Sequence, residues 1–250
     1  MQPFECRCAA RYHELTPQGR PHLPILLNWL QDAAGEHAQQ LGLSVKELRT
    51  RGVTWVLSRL SVALERYPRG TEPLLLRTWP VSREGLFTIR DFELLDSSGK
   101  RIGAASSSWA VLNLKSRRPV RIEQYLPDYP LHPLRTLDDP FTTLPALERC
   151  DTALCLPVLR ADLDLNNHVN NTVYARWALE AVPAELADHC VPCSIELSFR
   201  AEAFYGDTIR SCCAPSADDP QTLLHRIENA TDGRELCRLR TVWKSTTKTG

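Results

Sequence analysis

The stretch 162–180 crowds polar groups immediately ahead of a helix: Asp-Leu-Asp-Leu-Asn-Asn-His-Val-Asn-Asn-Thr-Val-Tyr-Ala-Arg-Trp-Ala-Leu-Glu. Asp164, Asn166 and His168 recur at every second position. An extended backbone would point all three to one side and turn Leu163 and Leu165 to the other, towards the core. A helix would also bring Asp164 and His168 together, but Asn166-Asn167 is poor helix material and the alternation favours the extended form. Carboxylate, amide and imidazole in one row are groups that activate water and steady a carbonyl in line with it.

Helical spacing begins directly afterwards. Val173, Tyr174, Trp177, Ala178 and Ala181 fall on one apolar face, and Asn170 or Asn171 is placed to cap the first turn. The helix therefore starts beside the polar row. Its free backbone N–H groups and positive dipole end are expected near Asp164, Asn166 and His168, where a carbonyl oxygen gaining negative charge would be stabilised.

The elements that must hold this row can be read from the rest of the chain. With 250 residues and 43% apolar content, there is enough sequence for one large domain or two smaller ones with real cores. A helix is expected over 23–41, with Leu26, Leu30, Ala33, Ala34, His37 and Leu41 on one face and Gly42 at its stop. Strand patterns follow over 54–67, 74–81, 86–95 and 104–114, with Asp96-Ser-Ser-Gly99 as a hairpin turn. One helix followed by several antiparallel strands is an α+β layer arrangement.

Pro127, Pro130, Pro133, Pro140 and Pro145 mark 123–151 as an extended linker between residues 1–122 and 152–250. The second half then repeats the first. Trp29-Leu-Gln-Asp-Ala-Ala matches Trp177-Ala-Leu-Glu-Ala-Val at a separation of 148 residues. Tyr67-Pro-Arg-Gly70 corresponds to Phe204-Tyr-Gly206, and Gly99 with Trp109 corresponds to Gly233 with Trp243. Helix, strands and hairpin recur in the same order, which implies two copies of one helix-plus-sheet unit. Carrying the helix offset backwards puts Thr16, Gln18 and Arg20 where the second copy has Asp164, Asn166 and His168. The second copy alone keeps the row, leaving the first to shape a binding cavity.

Thirty basic and thirty acidic residues give no support to a nucleic-acid binder. No run is long enough to cross a bilayer, and residues 1–15 resemble neither a secretory signal nor an anchor, so membrane insertion is not expected and the cytoplasm is. Nine scattered cysteines are read as reduced thiols. The lone Cys190-Val-Pro-Cys193 lacks a second pair, so no metal is assigned, and no cofactor motif is present.

The run Asp164-Leu-Asn-Asn-His-Val-Asn-Asn-Thr-Val-Tyr174 resembles the plant and bacterial acyl-ACP thioesterases, as do Arg66-Tyr-Pro-Arg-Gly70, Trp79-Pro80 and Trp109-Ala-Val-Leu-Asn-Leu with Arg117-Arg118. The resemblance implies a double hot-dog fold, an N-terminal unit that shapes the substrate and a catalytic C-terminal unit. It implies hydrolysis of a fatty acyl thioester on acyl carrier protein, by a monomer or homodimer. The family's active-site residues fall on Asp164, Asn166, His168 and, downstream, Glu202. Many relatives have cysteine after that acid; Ala203 stands here, which favours attack by water. Glu202, or Asp164 in exchange with it, is then the general base, with His168 and Asn166 holding water and carbonyl. The basic stretch Lys115-Ser-Arg-Arg-Pro-Val-Arg121 is a candidate contact for an acidic carrier. A hot-dog acyl-CoA thioesterase, a dehydratase on the same fold and a non-catalytic acyl-binding module are the alternatives.

Overall fold

In the computed structural model, which describes residues 2–138 and 141–246, the chain divides into two compact units, Met1–Phe141 and Thr142–Gly250. The first contains strand β1 (Phe4–Cys8), helices α1 (Leu23–Gln40) and α2 (Val45–Thr50), and strands β2 (Val53–Leu64), β3 (Leu74–Glu84), β4 (Phe87–Leu95), β5 (Arg101–Asn113) and β6 (Pro119–Val120). Its sheet runs β1-β3-β4-β5-β2 with antiparallel neighbours, and β6 is added to β5. Helix α1 buries Leu23, Leu26, Leu27, Leu30, Ala33, Ala34 and His37 and packs on β1 and β3. It ends before Gly42, whose φ of 70° suits a residue without Cβ.

Strand β1 is absent from the sequence-based expectations: Phe4-Glu-Cys-Arg-Cys8 alternates, but over only five residues. Its residue Phe4 stacks on His37, with ring centroids 5.4 Å apart. Arg90 of β4 donates to His37 Nδ1 over 2.9 Å. Burial and this cation push the His37 pKa down to about 4, so the imidazole remains an acceptor.

The expected linker is more than a spacer. Buried Asp91 accepts from Ser106 Oγ (2.6 Å), Arg135 Nε (3.0 Å) and the Thr136 N–H (2.8 Å). Trp79 Nε1 donates to the Leu134 carbonyl, and Ile122, Leu126 and Tyr129 join a core cluster with Leu43, Leu48, Val53 and Val111. Residues 122–136 are thus strapped to the first unit. Leu144 and Leu147 are buried as well, and their carbonyls accept from Arg238 and Arg226 of the second unit. Pro140 lies outside the described residues. The basic stretch Lys115–Arg121 forms an exposed turn whose N–H groups at Lys115 and Ser116 are held by Asn113 Oδ1.

The second unit contains β7 (Thr152–Pro157), α3 (Asn171–Glu180), α4 (Ala184–His189), β8 (Cys190–Phe199), β9 (Thr208–Pro215), β10 (Thr222–Asn229) and β11 (Glu235–Ser245). These strands form the antiparallel order β8-β11-β10-β9-β7, and α3 packs on β9, β10 and β11. Each unit is thus one long helix against an antiparallel sheet, the hot-dog arrangement. The tryptophan correspondence extends to its bonding: Trp109 donates to Ser107 Oγ at 2.8 Å, and Trp243 to Thr241 Oγ1 at 2.9 Å. All nine cysteines are free thiols. Among the described residues, no helix is long and apolar enough to cross a membrane.

His225 of β10 is fully buried, with Nε2 2.8 Å from Thr241 Oγ1 and Nδ1 towards the Ala178 carbonyl without an ordinary hydrogen bond. Burial lowers its pKa to about 4. The unfolded chain takes up this proton near pH 6.5, and the folded chain does not until the pH nears 4. Stability from this residue is therefore full above about pH 6.5 and falls by up to about 3 kcal/mol as the pH drops towards about 4. Urea midpoints between about pH 7 and pH 5 should fall for the wild type and fall less for His225→Gln; an equal fall in both would contradict this assignment.

Candidate active site

After β7 the chain makes a single helical turn, Arg160–Asp162, and then a closed loop whose ends meet at the Leu163–Val169 bridge. Two aspartates build it. Asp162 is 1% exposed; its carboxylate accepts the Leu159 N–H (2.8 Å) and pairs with Arg176, while its carbonyl accepts the Asn170 N–H (2.8 Å). Asp164 Oδ1 accepts the N–H groups of Asn166 (2.8 Å) and His168 (3.3 Å), and Oδ2 accepts from Asn166 Nδ2 (3.3 Å). The Asp164 N–H donates to the His168 carbonyl at 2.8 Å.

The expected extended row is therefore wrong in its backbone. Short polar side chains that bond their own backbone divert the chain from a strand, and Asn167 adopts φ +62°, which closes the turn. Leu165 is fully exposed rather than part of the core. Asp164, Asn166 and His168 still come together, through loop closure instead of strand alternation.

Opposite the loop, the segment after β8 supplies Glu202. Two bonds fix its neighbour Ala203, which is buried: its N–H donates to Tyr174 Oη (3.0 Å) and its carbonyl accepts the Val169 N–H (3.2 Å). Glu202 Oε1 then lies 3.2 Å from His168 Nδ1, and the Phe204 ring meets the imidazole edge-on at 5.3 Å. The His168 and Glu202 side chains are 31% and 35% exposed, so water reaches both. Asp164 lies one loop turn from His168, with both its carboxylate oxygens engaged by the loop.

Of the free N–H groups expected at the start of α3, those of Thr172 and Val173 are already taken. Asn170 is the N-cap: its side chain accepts the Thr172 N–H (3.1 Å) and its carbonyl the Val173 N–H (3.0 Å). Asn166 is held in the same loop as His168, its side-chain amide donating to Asp164 Oδ2 over 3.3 Å.

Helical spacing puts Tyr174 only on an apolar face, yet its hydroxyl positions the Glu202 segment. Burial raises its pKa well above the usual phenol range, so it stays protonated. Asp162 does not stand out in the sequence either, although the offset of 148 residues offers a signal. The first unit closes the same loop at Leu15–Pro21, with the Thr16 N–H to the Arg20 carbonyl (2.7 Å), the His22 N–H to the Glu14 carbonyl (3.0 Å) and the Arg11 N–H to Glu14 Oε2 (2.8 Å). Each partner stands 148 residues before its counterpart, and Gly19, φ +73°, stands for Asn167. Thr16, Gln18 and Arg20 occupy that loop without a carboxylate–imidazole pair.

Comparison with known proteins matches residues 2–128 to the family described as acyl-ACP thioesterase N-terminal domain and residues 147–245 to its C-terminal domain. A similar curated relative is the chloroplastic oleoyl-acyl carrier protein thioesterase 1 of Arabidopsis thaliana, 28% identical over 96% of this chain and 76% of the relative. Among solved structures, an acyl-ACP thioesterase from Bacteroides thetaiotaomicron has 28% identity and a TM-score of 0.82, covering 96% of this chain and 97% of that one. The 12:0-ACP thioesterase from Umbellularia californica has 25% identity and a TM-score of 0.83, covering 97% of both chains.

Removing the Tyr174 hydroxyl leaves the buried Ala203 N–H without its acceptor, which costs about 1–3 kcal/mol. Tyr174→Phe should therefore lower the thermal midpoint; an unchanged midpoint would show that this bond holds nothing.

Proposed function

We propose that the Glu202–His168 pair activates the attacking water in this chain, which belongs to the acyl-ACP thioesterase family and hydrolyses the thioester joining a fatty acyl group to acyl carrier protein. The observation that carries this reading is the 3.2 Å contact between His168 Nδ1 and Glu202 Oε1 in a water-accessible position. The contact makes carboxylate and imidazole one proton-accepting unit. Water gives its proton to this pair as its oxygen attacks the thioester carbon, and the tetrahedral intermediate expels the carrier thiolate. A thiol whose ordinary pKa is about 8.5 leaves with little assistance. General-base catalysis of this kind contributes on the order of 10² to 10⁴ in rate.

Asn166 has the role of steadying the thioester carbonyl oxygen as it gains charge, through its side-chain amide. Asp164 is a positioning residue: its oxygens hold Asn166 and the His168 backbone, so Glu202 rather than Asp164 belongs to the proton-accepting pair. Ala203 beside Glu202 carries no thiol, which supports water over a cysteine nucleophile. The second unit is in this reading the catalytic one and the first the substrate-shaping one. The relatives are named for oleoyl and 12:0 acyl groups, which supports a fatty acyl substrate as a class. The exposed Lys115–Arg121 turn offers charge complementary to an acidic carrier. Nine free thiols support a reducing compartment, and we assign the cytoplasm, with the chain acting as a monomer or homodimer; the Arabidopsis relative is named as chloroplastic.

Glu202→Gln and His168→Ala should each lower acyl-ACP turnover by about 10²-fold or more while the thermal midpoint stays near that of the wild type. Asp164→Asn keeps an oxygen for the loop N–H groups and should lose less, whereas Asp164→Ala opens the loop and loses more. Turnover by Glu202→Gln close to the wild type, followed by free-thiol release, would end the proposal.

A further inference from the structure

Two segments run side by side next to the His168–Glu202 pair. The Val158 N–H donates to the Asp207 carbonyl (2.9 Å), the Val169 N–H to the Ala203 carbonyl, and His168 meets both Glu202 and Phe204. Along this rim Leu159, Leu165, Phe204 and Tyr205 are all exposed, at 54%, 104%, 41% and 52%. Single exposed apolar side chains are ordinary, but four on two adjoining segments form a surface that is wetted only at a cost.

Beside them stands Arg160, its guanidinium carbon 4.2 Å from the centre of the Tyr205 ring. Among the described residues no carboxylate forms an ion pair with it, whereas the neighbouring Arg176 is paired with Asp162. A cation over an aromatic face keeps its N–H edge available for an anion and gives up less side-chain freedom on binding one.

The first unit supplies an internal control. Its loop closes with the same hydrogen bonds, and the offset of 148 residues puts Tyr12, not an arginine, at the position of Arg160. The loop therefore does not need a cation there to fold. What distinguishes the second copy is the site that it borders.

We propose that this rim binds the phosphopantetheine arm of the acyl carrier, with Arg160 taking the phosphodiester and Phe204 and Tyr205 packing against the arm's apolar portion. The proposal rests on the thioesterase reading, because the arm reaches Glu202 and His168 only as part of a bound thioester. The arm is long and flexible, anionic at one end and joined to the scissile sulfur at the other. The rim has the matching order: the catalytic pair, Phe204 in contact with His168, Tyr205 next in the chain, and Arg160 over Tyr205. Holding the phosphate fixes the far end of the arm and lowers the freedom lost when the thioester enters the site.

The test compares acyl-phosphopantetheine with acyl-pantetheine, which lacks the phosphate, using one acyl group for wild type, Arg160→Ala and Arg160→Lys. A charge-assisted hydrogen bond to phosphate corresponds to about tenfold or more in kcat/KM. Arg160→Ala should lose that factor on the phosphorylated substrate and nothing on acyl-pantetheine, and Arg160→Lys should recover part of it. Free phosphopantetheine should inhibit the wild type better than pantetheine does, and the two should inhibit Arg160→Ala alike. Equal losses on both substrates would mean a structural role or a rim covered by a second copy, and no loss on either would mean an idle arginine; each result overturns the proposal. If the wild type hydrolyses none of these thioesters or acyl-ACP, the thioesterase reading fails instead, and this assignment falls with it.

Discussion

The site depends on a loop that closes on itself. Asp164 binds two backbone N–H groups ahead of it, Asn167 turns left-handed, and the Leu163–Val169 bridge seals the ends. Each such hydrogen bond contributes about 1 kcal/mol, so none of them alone explains a fixed geometry. Together they cap the conformational freedom of 164–168, and the same Val169 that closes the loop donates to Ala203. The carboxylate of Glu202 is thereby held against the imidazole from both sides, by loop closure from one and by Tyr174 from the other. The His168–Glu202 geometry is thus a by-product of satisfying backbone groups.

The first unit shows that the scaffold and the chemistry are separable. Thr16 replaces Asp164 as a weaker acceptor, with Oγ1 3.4 Å from the Arg20 N–H, and Gly19 takes the left-handed position without strain. The loop still forms, beside a helix of the same kind, but it presents Gln18 and Arg20 instead of Asn166 and His168. Among the described residues, a loop repeated twice thus carries the carboxylate–imidazole pair once, as expected when function resides in particular residues rather than in architecture. The first copy of the loop also shows that it closes without the Asp164, Asn166 and His168 side chains.

Much of this is legible in the chain itself. Helix α1 follows from the spacing of Leu26, Leu30 and Ala33 and from Gly42, and the hairpin at Asp96-Ser-Ser-Gly99 from its turn residues. The offset between Trp29 and Trp177 locates the duplicated loop to the residue. What misleads is alternation: Asp164, Asn166 and His168 share a period of two with a strand, but short polar side chains that bond their own backbone override periodicity. The helix start misleads for a related reason, since Asn170 takes the N–H groups of Thr172 and Val173. Tyr174 and Asp162 act through partners distant in sequence, Ala203 and Arg176, and no local pattern announces such contacts. The prolines of 123–151 speak for an extended path but not for Asp91, whose carboxylate anchors that path to the first unit's sheet.

The central claim is that Glu202, coupled to His168, passes water to the thioester carbon without itself bonding to the acyl group. A single turnover with enzyme in excess, run in ¹⁸O-labelled water, separates direct attack from an acyl-enzyme anhydride that water opens at the glutamyl carbon. Direct attack predicts one labelled oxygen in the first fatty acid released and no label in the peptide containing residue 202. A first product without label, together with label in the Glu202 carboxylate, would instead reveal an acyl-enzyme anhydride and contradict the account.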